Sequence, residues 1–512
     1  MLKGGKEFIM RFENTAKNMK FSFIAQILSL IMQFITRTFF INILGSEYLG
    51  VNGLFSNILT LLSLADLGIG NVLIYSMYKP LAENDERKMI MLMALYKKIY
   101  KIISLVVFVI GMAIMPFVNL LINGGTSIPN IKFIYFLYLM NTVVSYLCIY
   151  KISIINADQK NYAVVIIQQT INLIANVILI ISLIITHNFI VYLIIQIAFS
   201  IFSNLVVSKK AEKMYPFINK EIDEQLSHEE KAKIFKDTRA MVFHKVGGVV
   251  VNGTDNILMS AMINLVTVGI YSNYLLIINA IKKFTVLFFT SMSSSVGNLN
   301  VKQSKDYTYG IFKEVFYGNF LIYTFSCICL LCLLNPFIGL WLGNNFVFDY
   351  KIVILICLSF YVDGMRQTVL TFKDSMGLFQ KDQIKPIVEA ITNLVLSIIL
   401  TIKFGVEGII LGTILSMLFV CVGTEAHVLY KYGFNRKVKE YFKLYLKYLI
   451  IGGAIFLVVF FGTRFIAGTS IIMFVIKVLV TVILTIGLLV LFTFKTDEFQ
   501  FYAQKLFNRN KI

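Results

Sequence analysis

FSFIAQILSLIMQFITRTFFINI (21–43) and LGVNGLFSNILTLLSLADLGIGNVLIYS (49–76) stand almost back to back, joined only by LGSEY (44–48). Each run exceeds the roughly 20 apolar residues that an α-helix needs to cross about 30 Å of hydrocarbon. A connection this short makes the second helix return beside the first. The pattern recurs along the chain, at 102–122, 131–150, 162–186, 188–207, 240–262, 266–292, 314–338, 352–372, 384–402, 406–430, 445–463 and 470–494. The expectation is an all-α polytopic membrane protein with 14 transmembrane helices. A mean hydropathy of +0.78 agrees, and excludes an ordinary soluble domain.

The basic residues orient the spans. When the chain is threaded from the cytoplasm, only Lys132, Lys351, Lys403 and Arg464 fall at outer ends. Six cations lie within spans: Arg37, Lys245, Lys282, Lys283, Arg366 and Lys477. The remaining 37 of the 47 Lys and Arg crowd onto one face, as the positive-inside rule requires of the cytoplasmic side. Both termini are therefore expected in the cytoplasm. The N-terminal MLKGGKEFIMRFENTAKNMK precedes a long first span, read as uncleaved because no small-residue cleavage site follows it. The net charge of +19 does not point to nucleic acid, because the positives sit in short loops beside apolar runs, where they meet anionic headgroups. The cysteines all lie in apolar segments without accompanying His or carboxylate. Neither zinc nor disulfides are implied, and no cofactor is expected.

The expected organisation is a cytoplasmic N-terminus (1–20), an N-lobe of six spans (21–207) and a cytoplasmic linker (208–239). A C-lobe of six spans (240–430), a cytoplasmic loop (431–444), two further spans (445–494) and a cytoplasmic tail (495–512) follow. The lobes read as a duplication. LGVNGLFSN (49–57) matches VGIYSNYLL (268–276) at an offset of 219, and IMPFV (114–118) matches LNPFI (334–338) at 220. QKN (159–161) matches QKD (380–382), and Asn172-Leu173 matches Asn393-Leu394, both at 221. Six spans per copy is an even number, so these are parallel repeats related about the membrane normal, a plan in which transporters bind substrate between halves.

Charge at membrane depth is costly and marks function. Arg37 lies about 24 Å along its span from the cytoplasmic end, and Lys282 and Lys283 lie about 24 Å from the outer end of theirs. Lys245 and Arg366 are near enough to inner ends to snorkel, and Arg366 is spaced i,i+3 from Asp363. Among the acids, Asp66 and Asp255 are deep and Glu389 shallower; they either pair with the cations or face a cavity. The candidate substrate-binding residues are Arg37, Lys245, Lys282, Lys283, Asp66 and Asp255. The excess of positive charge suits an anion, because guanidinium pairs bidentately with phosphate. Gly68, Gly70, Gly247, Gly248 and Gly253 allow close helix packing or bending in the same spans.

QFITRTFFINILGSEYLGVNGLF (33–55), NILTLLSLADLGIGNVLIYSMYKPLAENDERK (57–88) and YKKIYKI (96–102) together resemble a bacterial oligosaccharide-lipid flippase of the Wzx type, within the multidrug/oligosaccharidyl-lipid/polysaccharide exporter superfamily. The resemblance implies a MATE-like fold of two six-helix lobes around a V-shaped cavity. It implies no enzyme chemistry, but passage of an undecaprenyl-pyrophosphate-linked oligosaccharide across the bacterial cytoplasmic membrane for capsule or exopolysaccharide assembly, by alternating access. Arg37 sits where family members place a cavity arginine; the lysines have no such motif match. The arginine pattern of the related lipid II flippases is not evident. Membrane lipids are expected partners and polysaccharide polymerase machinery a candidate one; a monomer suffices. A cation-coupled drug exporter of the same superfamily is the alternative, kept open by Asp66 and Asp255. A membrane enzyme is disfavoured by short outer loops and the absence of DxD, HExxH or Walker-type motifs.

Overall fold

The computed structural model describes residues 2–63, 69–220, 222, 226–466 and 470–507, and the side chains of 2–16 and 239–252 are among those it does not describe. Every element among the described residues is helical. The chain divides into two compact units, Met1–Gly269 and Ile270–Ile512.

The first unit holds α1 (Leu2–Leu44), α2 (Ser46–Leu62), α3 (Ile69–Glu83), α4 (Glu86–Ile114), α5 (Ile131–Ala157), α6 (Asn161–Thr186), α7 (Phe189–Met214) and α8 (His228–Met262). Its turns follow local chemistry. Gly45, at φ +88°, reverses the chain between α1 and α2, a backbone geometry that costs glycine nothing. Asp85 accepts from Lys88 N to cap α4, and Asn188 accepts from Ile190 N to cap α7. Ser227 and Glu230 form a capping box at the start of α8. α1 packs on α6, α5 between α4 and α7, and α2 on α8. Phe55 of α2 is wholly buried edge-on against Tyr135 and Tyr138 of α5, with centroids 5.2 and 5.8 Å away. The helix expected to open the C-lobe, α8, thus packs within the first unit. Gly253 is one reason: a Cβ there would meet Leu61 Cδ2 of α2 at 2.9 Å, so this glycine serves close packing.

One crossing within this unit bears on the duplication. A Cβ at Gly50 would meet the Leu265 carbonyl oxygen at 2.0 Å, and a Cβ at Gly269 would meet the Ser46 carbonyl oxygen at 2.1 Å. An offset of 219 converts Gly50 to Gly269 and Ser46 to Leu265, so the contact is reciprocal under the same shift that aligns LGVNGLFSN with VGIYSNYLL. The proline shared by IMPFV and LNPFI behaves differently in its two copies. Pro116 stands where α4 gives way to a 3₁₀ turn (Met115–Leu121), whereas Pro336 is accommodated inside a helix.

α9 (Leu265–Lys302) begins in the first unit and continues in the second. The second unit adds α10 (Lys305–Leu342), α11 (Tyr350–Met365), α12 (Gln367–Ser375), α13 (Lys385–Phe404), α14 (Val406–Ser416), α15 (Gly423–Val428), α16 (Val438–Arg464), α17 (Ile471–Thr493) and α18 (Asp497–Phe507). Its core is aromatic: Phe316 and Phe320 of α10 pack on Tyr441 and Tyr448 of α16, with Phe320 and Tyr448 at 4.6 Å, and Phe312 packs on Tyr430 and Phe434. The last span is tied in by Tyr317 and Thr493, whose hydroxyls are 2.8 Å apart.

Among the described residues, twelve helices are long and apolar enough to cross a membrane. The expected spans 49–76 and 240–262 are not among them. The first includes residues 64–68, outside the described set, which separate α2 from α3. The second lies in α8, whose His244-Lys245 and Asn252–Asn256 dilute its hydropathy; a helix packed among other helices tolerates such residues.

Candidate functional site

In the first unit two polar residues of α1 are committed to α6. Ser29 Oγ donates to Gln169 Oε1 and Thr36 Oγ1 to Asn176 Oδ1, each at 2.9 Å, which fixes the α1 register against α6. With that face committed, Arg37 lies half-buried within electrostatic reach of Tyr192 on α7 and Tyr138 on α5. Tyr138 donates in turn to Asn52 Oδ1 of α2 at 2.7 Å. Arg37 is therefore the cation of an inward polar cluster formed by α1, α2, α5 and α7.

Of the other residues singled out in this unit, Asp255 is half-buried on α8 next to the buried Asn256, whose amide nitrogen would lie 3.8 Å from a Cβ at Gly53. Lys245 belongs to the same helix, but its side chain lies outside the described residues, as does Asp66 altogether.

On the expected outer side, Glu47 at the start of α2 clasps the loop after α4. It accepts from Thr126 Oγ1 at 2.7 Å, Ser127 N at 3.0 Å and Ser127 Oγ at 2.6 Å. Burial works against its charge, but these donors outweigh it and hold the carboxyl below its ordinary pKa. Asn123 of the same loop donates to the Met262 and Ile263 carbonyls at 3.1 Å, closing the end of α8.

The second unit places Lys282, but in company. Its Nζ is 2.7 Å from Asp363 Oδ2. Asp363 also faces Arg366, whose Nη1 is 3.6 Å from Asp363 Oδ1 and 3.9 Å from Glu389 Oε1. Arg366 forks onto Glu425 through Nε at 3.0 Å and Nη2 at 2.7 Å. Lys385 donates to the same Glu425 and stands 4.0 Å from Glu389. Three cations thus meet three carboxylates with no excess of charge. A break between α11 and α12 presents Arg366 to this network, and Asn319 donates to the freed Gly364 and Met365 carbonyls at 3.1 and 3.3 Å. Glu425 sits in one α-helical turn between two π-helical stretches, Met417–Val422 and Leu429–Phe434, a local widening often found at functional positions.

Two expectations change. Arg366 does not snorkel: it is 7% exposed, because Glu425 offers it a bidentate partner within the bundle. The excess of positive charge expected for the intramembrane groups is absent from this cluster; an anion reaching Lys282 would compete with Asp363. Lys283, next along α9, is exposed. Sequence reading missed Glu425 and Lys385, although an acid far inside the mostly apolar 406–430 and a lysine opening 384–402 were both visible. It also missed the buried pair Lys373–Asp382, at 2.5 Å.

Long apolar helices, several carrying buried polar clusters, define a multi-pass membrane protein. Its fold is that of the MOP superfamily. It matches the lipid II flippase MurJ in an inward closed conformation at a TM-score of 0.66 and 18% identity, over 93% of this chain and 98% of that one. It also matches an inward-facing multidrug resistance MATE family transporter (TM-score 0.63, 12% identity, 79% and 94% covered) and a variant of the Vibrio cholerae MATE transporter VcmN (0.54, 10%, 82% and 98%). No curated protein matches the sequence. The chain belongs to the family described as polysaccharide biosynthesis protein, whose model matches residues 15–293, more than half of its length.

Proposed function

We propose that this protein flips undecaprenyl-pyrophosphate-linked oligosaccharide across the bacterial cytoplasmic membrane by alternating access, for capsule or exopolysaccharide assembly. Family membership supports a saccharide cargo, and the lipid II flippase among the similar folds supports a lipid-linked one. The observation that carries the reading is Arg37, held on an inward face beside Tyr138 and Tyr192 rather than toward lipid. A guanidinium there offers a diphosphate two parallel donors at a depth where water is scarce. Lys283, Lys245, Asp66 and Asp255 are secondary members of the same path, and Lys282 joins it by exchanging Asp363 for the phosphate. The chain works as a monomer, with both termini in the cytoplasm, and hands its cargo to polymerase machinery outside.

The test is transport in vesicles. The purified chain should move lipid-linked oligosaccharide from one leaflet to the other, and Arg37→Ala should slow this at least tenfold, about 1.4 kcal/mol. Arg37→Lys, which keeps the charge but loses the fork, should fall between. Wild-type rates in the Arg37→Ala variant would remove Arg37 from the mechanism. Export of cationic drugs with no movement of lipid-linked sugar would replace the reading with the drug exporter.

A further inference from the structure

What each helix of the first unit exposes distinguishes faces that meet lipid from faces that meet water. α4 turns Leu105, Val109 and Ile110 outward, and α6 turns Ile174, Ile181 and Ile185 outward. Such faces are what hydrocarbon accepts without cost. α2 and α3 depart from this. The exposed residues of α2 are Ser56 and Thr60, and those of α3 are Tyr75, Tyr78, Lys79, Ala82 and Glu83. Among the described side chains, neither helix exposes a Leu, Ile, Val, Met or Phe.

The tyrosines are displayed, not merely uncovered. Tyr75 is 71% exposed and Tyr78 48%, one helical turn apart, with ring centroids 6.2 Å apart in an edge-to-face arrangement. The opposite face of α3 is locked: Val72, Leu73 and Met77 are buried, and the Ser76 hydroxyl lies 2.5 Å from the Tyr96 hydroxyl of α4. The helix therefore cannot roll to bury the rings. Tyr75 stands about 12 Å along α3 from Glu83, deep enough that an aliphatic side chain would be the ordinary choice against lipid.

A ring with an apolar face and a hydroxyl at its rim complements a sugar, which has a C–H face and a hydroxyl edge. Lys79 on the same face disfavours an organic cation. We infer that the Tyr75–Tyr78 face of α3 is a saccharide-stacking platform, taking the sugar portion of the lipid-linked substrate while the diphosphate is held elsewhere. The identity of that ligand rests on the function proposed above.

Two measurements test it. In vesicles supplied with the lipid-linked oligosaccharide fraction from the producing cell, Tyr75→Ala/Tyr78→Ala should raise the half-saturating concentration about tenfold. The maximal rate should hold, and Tyr75→Phe/Tyr78→Phe, which keeps the stacking faces but loses the hydroxyls, should fall between the alanine variant and the wild type. In the second, the Tyr75→Trp variant is titrated with oligosaccharide released from its carrier, and separately quenched with brominated-acyl lipid, against the emission of Trp341. Emission that responds to the saccharide and not to the bromolipid supports the platform even if the alanine variant does not fold. Bromolipid quenching without a saccharide response overturns it, as does a phenylalanine variant no better than the alanine one. If the wild type flips nothing while the tryptophan variant still senses saccharide, the flippase reading falls and the platform stands. If the wild type flips and every tyrosine variant matches it, the platform alone falls.

Discussion

Glu425 illustrates how one side chain can govern a buried charge network. It accepts from Arg366 and Lys385 while itself fully buried, so its loss leaves two cations inside the bundle with only Asp363 and Glu389 as distant partners. Removing one member of such a network costs about 3–5 kcal/mol. Glu425→Gln should therefore lower the unfolding temperature in detergent far more than Lys282→Met, since Lys282 and Asp363 are each about one-third exposed. Glu47, on the expected outer side of the first unit, predicts a pH dependence. Its folded pKa lies below the ordinary 4.5, so the clasp stabilises fully above that value and is lost as pH falls through the folded one. Thermal unfolding followed from pH 6 to pH 3 should show this loss in the wild type and a smaller one in Glu47→Gln. Composition made such cations and acids visible as anomalies, and Arg366–Asp363 was legible from i,i+3 spacing. Glu425 was not assignable to Arg366, because 59 residues separate them and only packing of α11 against α14 and its continuation brings them together.

At the level of helices, close approach decides more than hydropathy does. Gly50 and Gly269 each abut a carbonyl oxygen of the partner helix, and a backbone atom cannot swing away as a side chain can. Alanine at either position should cost about 1–3 kcal/mol by overpacking. Because the two contacts correspond under the 219-residue offset, the penalties measured by chemical denaturation should be similar; a large inequality would argue against the duplication. The same reasoning applies to Gly364, where a Cβ would overlap the Tyr323 ring at 2.0 Å. The sequence placed glycines in spans 2 and 7 and left bending and packing both open. The structure decides for packing at Gly253, because Leu61 fills the space beside it.

For the molecule as a whole, the topology is the expectation most open to direct measurement. A cysteine introduced at Asn188, in the outer turn between α6 and α7, should react with an impermeant maleimide on intact cells. One introduced at Ile512 should react only after permeabilisation. Labelling of both on intact cells would show an even number of crossings between them, and of the two doubtful spans only 240–262, which lies between these sites, would then be withdrawn. Of those two segments, 240–262 is diluted by polar residues and 49–76 includes residues outside the described set; between them they carry Asp66, Lys245 and Asp255.

Length, hydropathy and the one-sided distribution of Lys and Arg were enough to define an all-helical, multi-pass membrane protein, because hydrocarbon enforces those properties on any chain that spans it. The inward cluster around Arg37 was legible as far as its depth, since depth follows from rise per residue. Which cations are neutralised, which glycines are steric and which tyrosines are displayed depended on tertiary structure. Each of these is set by a side chain from a helix distant in sequence, and no local pattern encodes which neighbour will arrive.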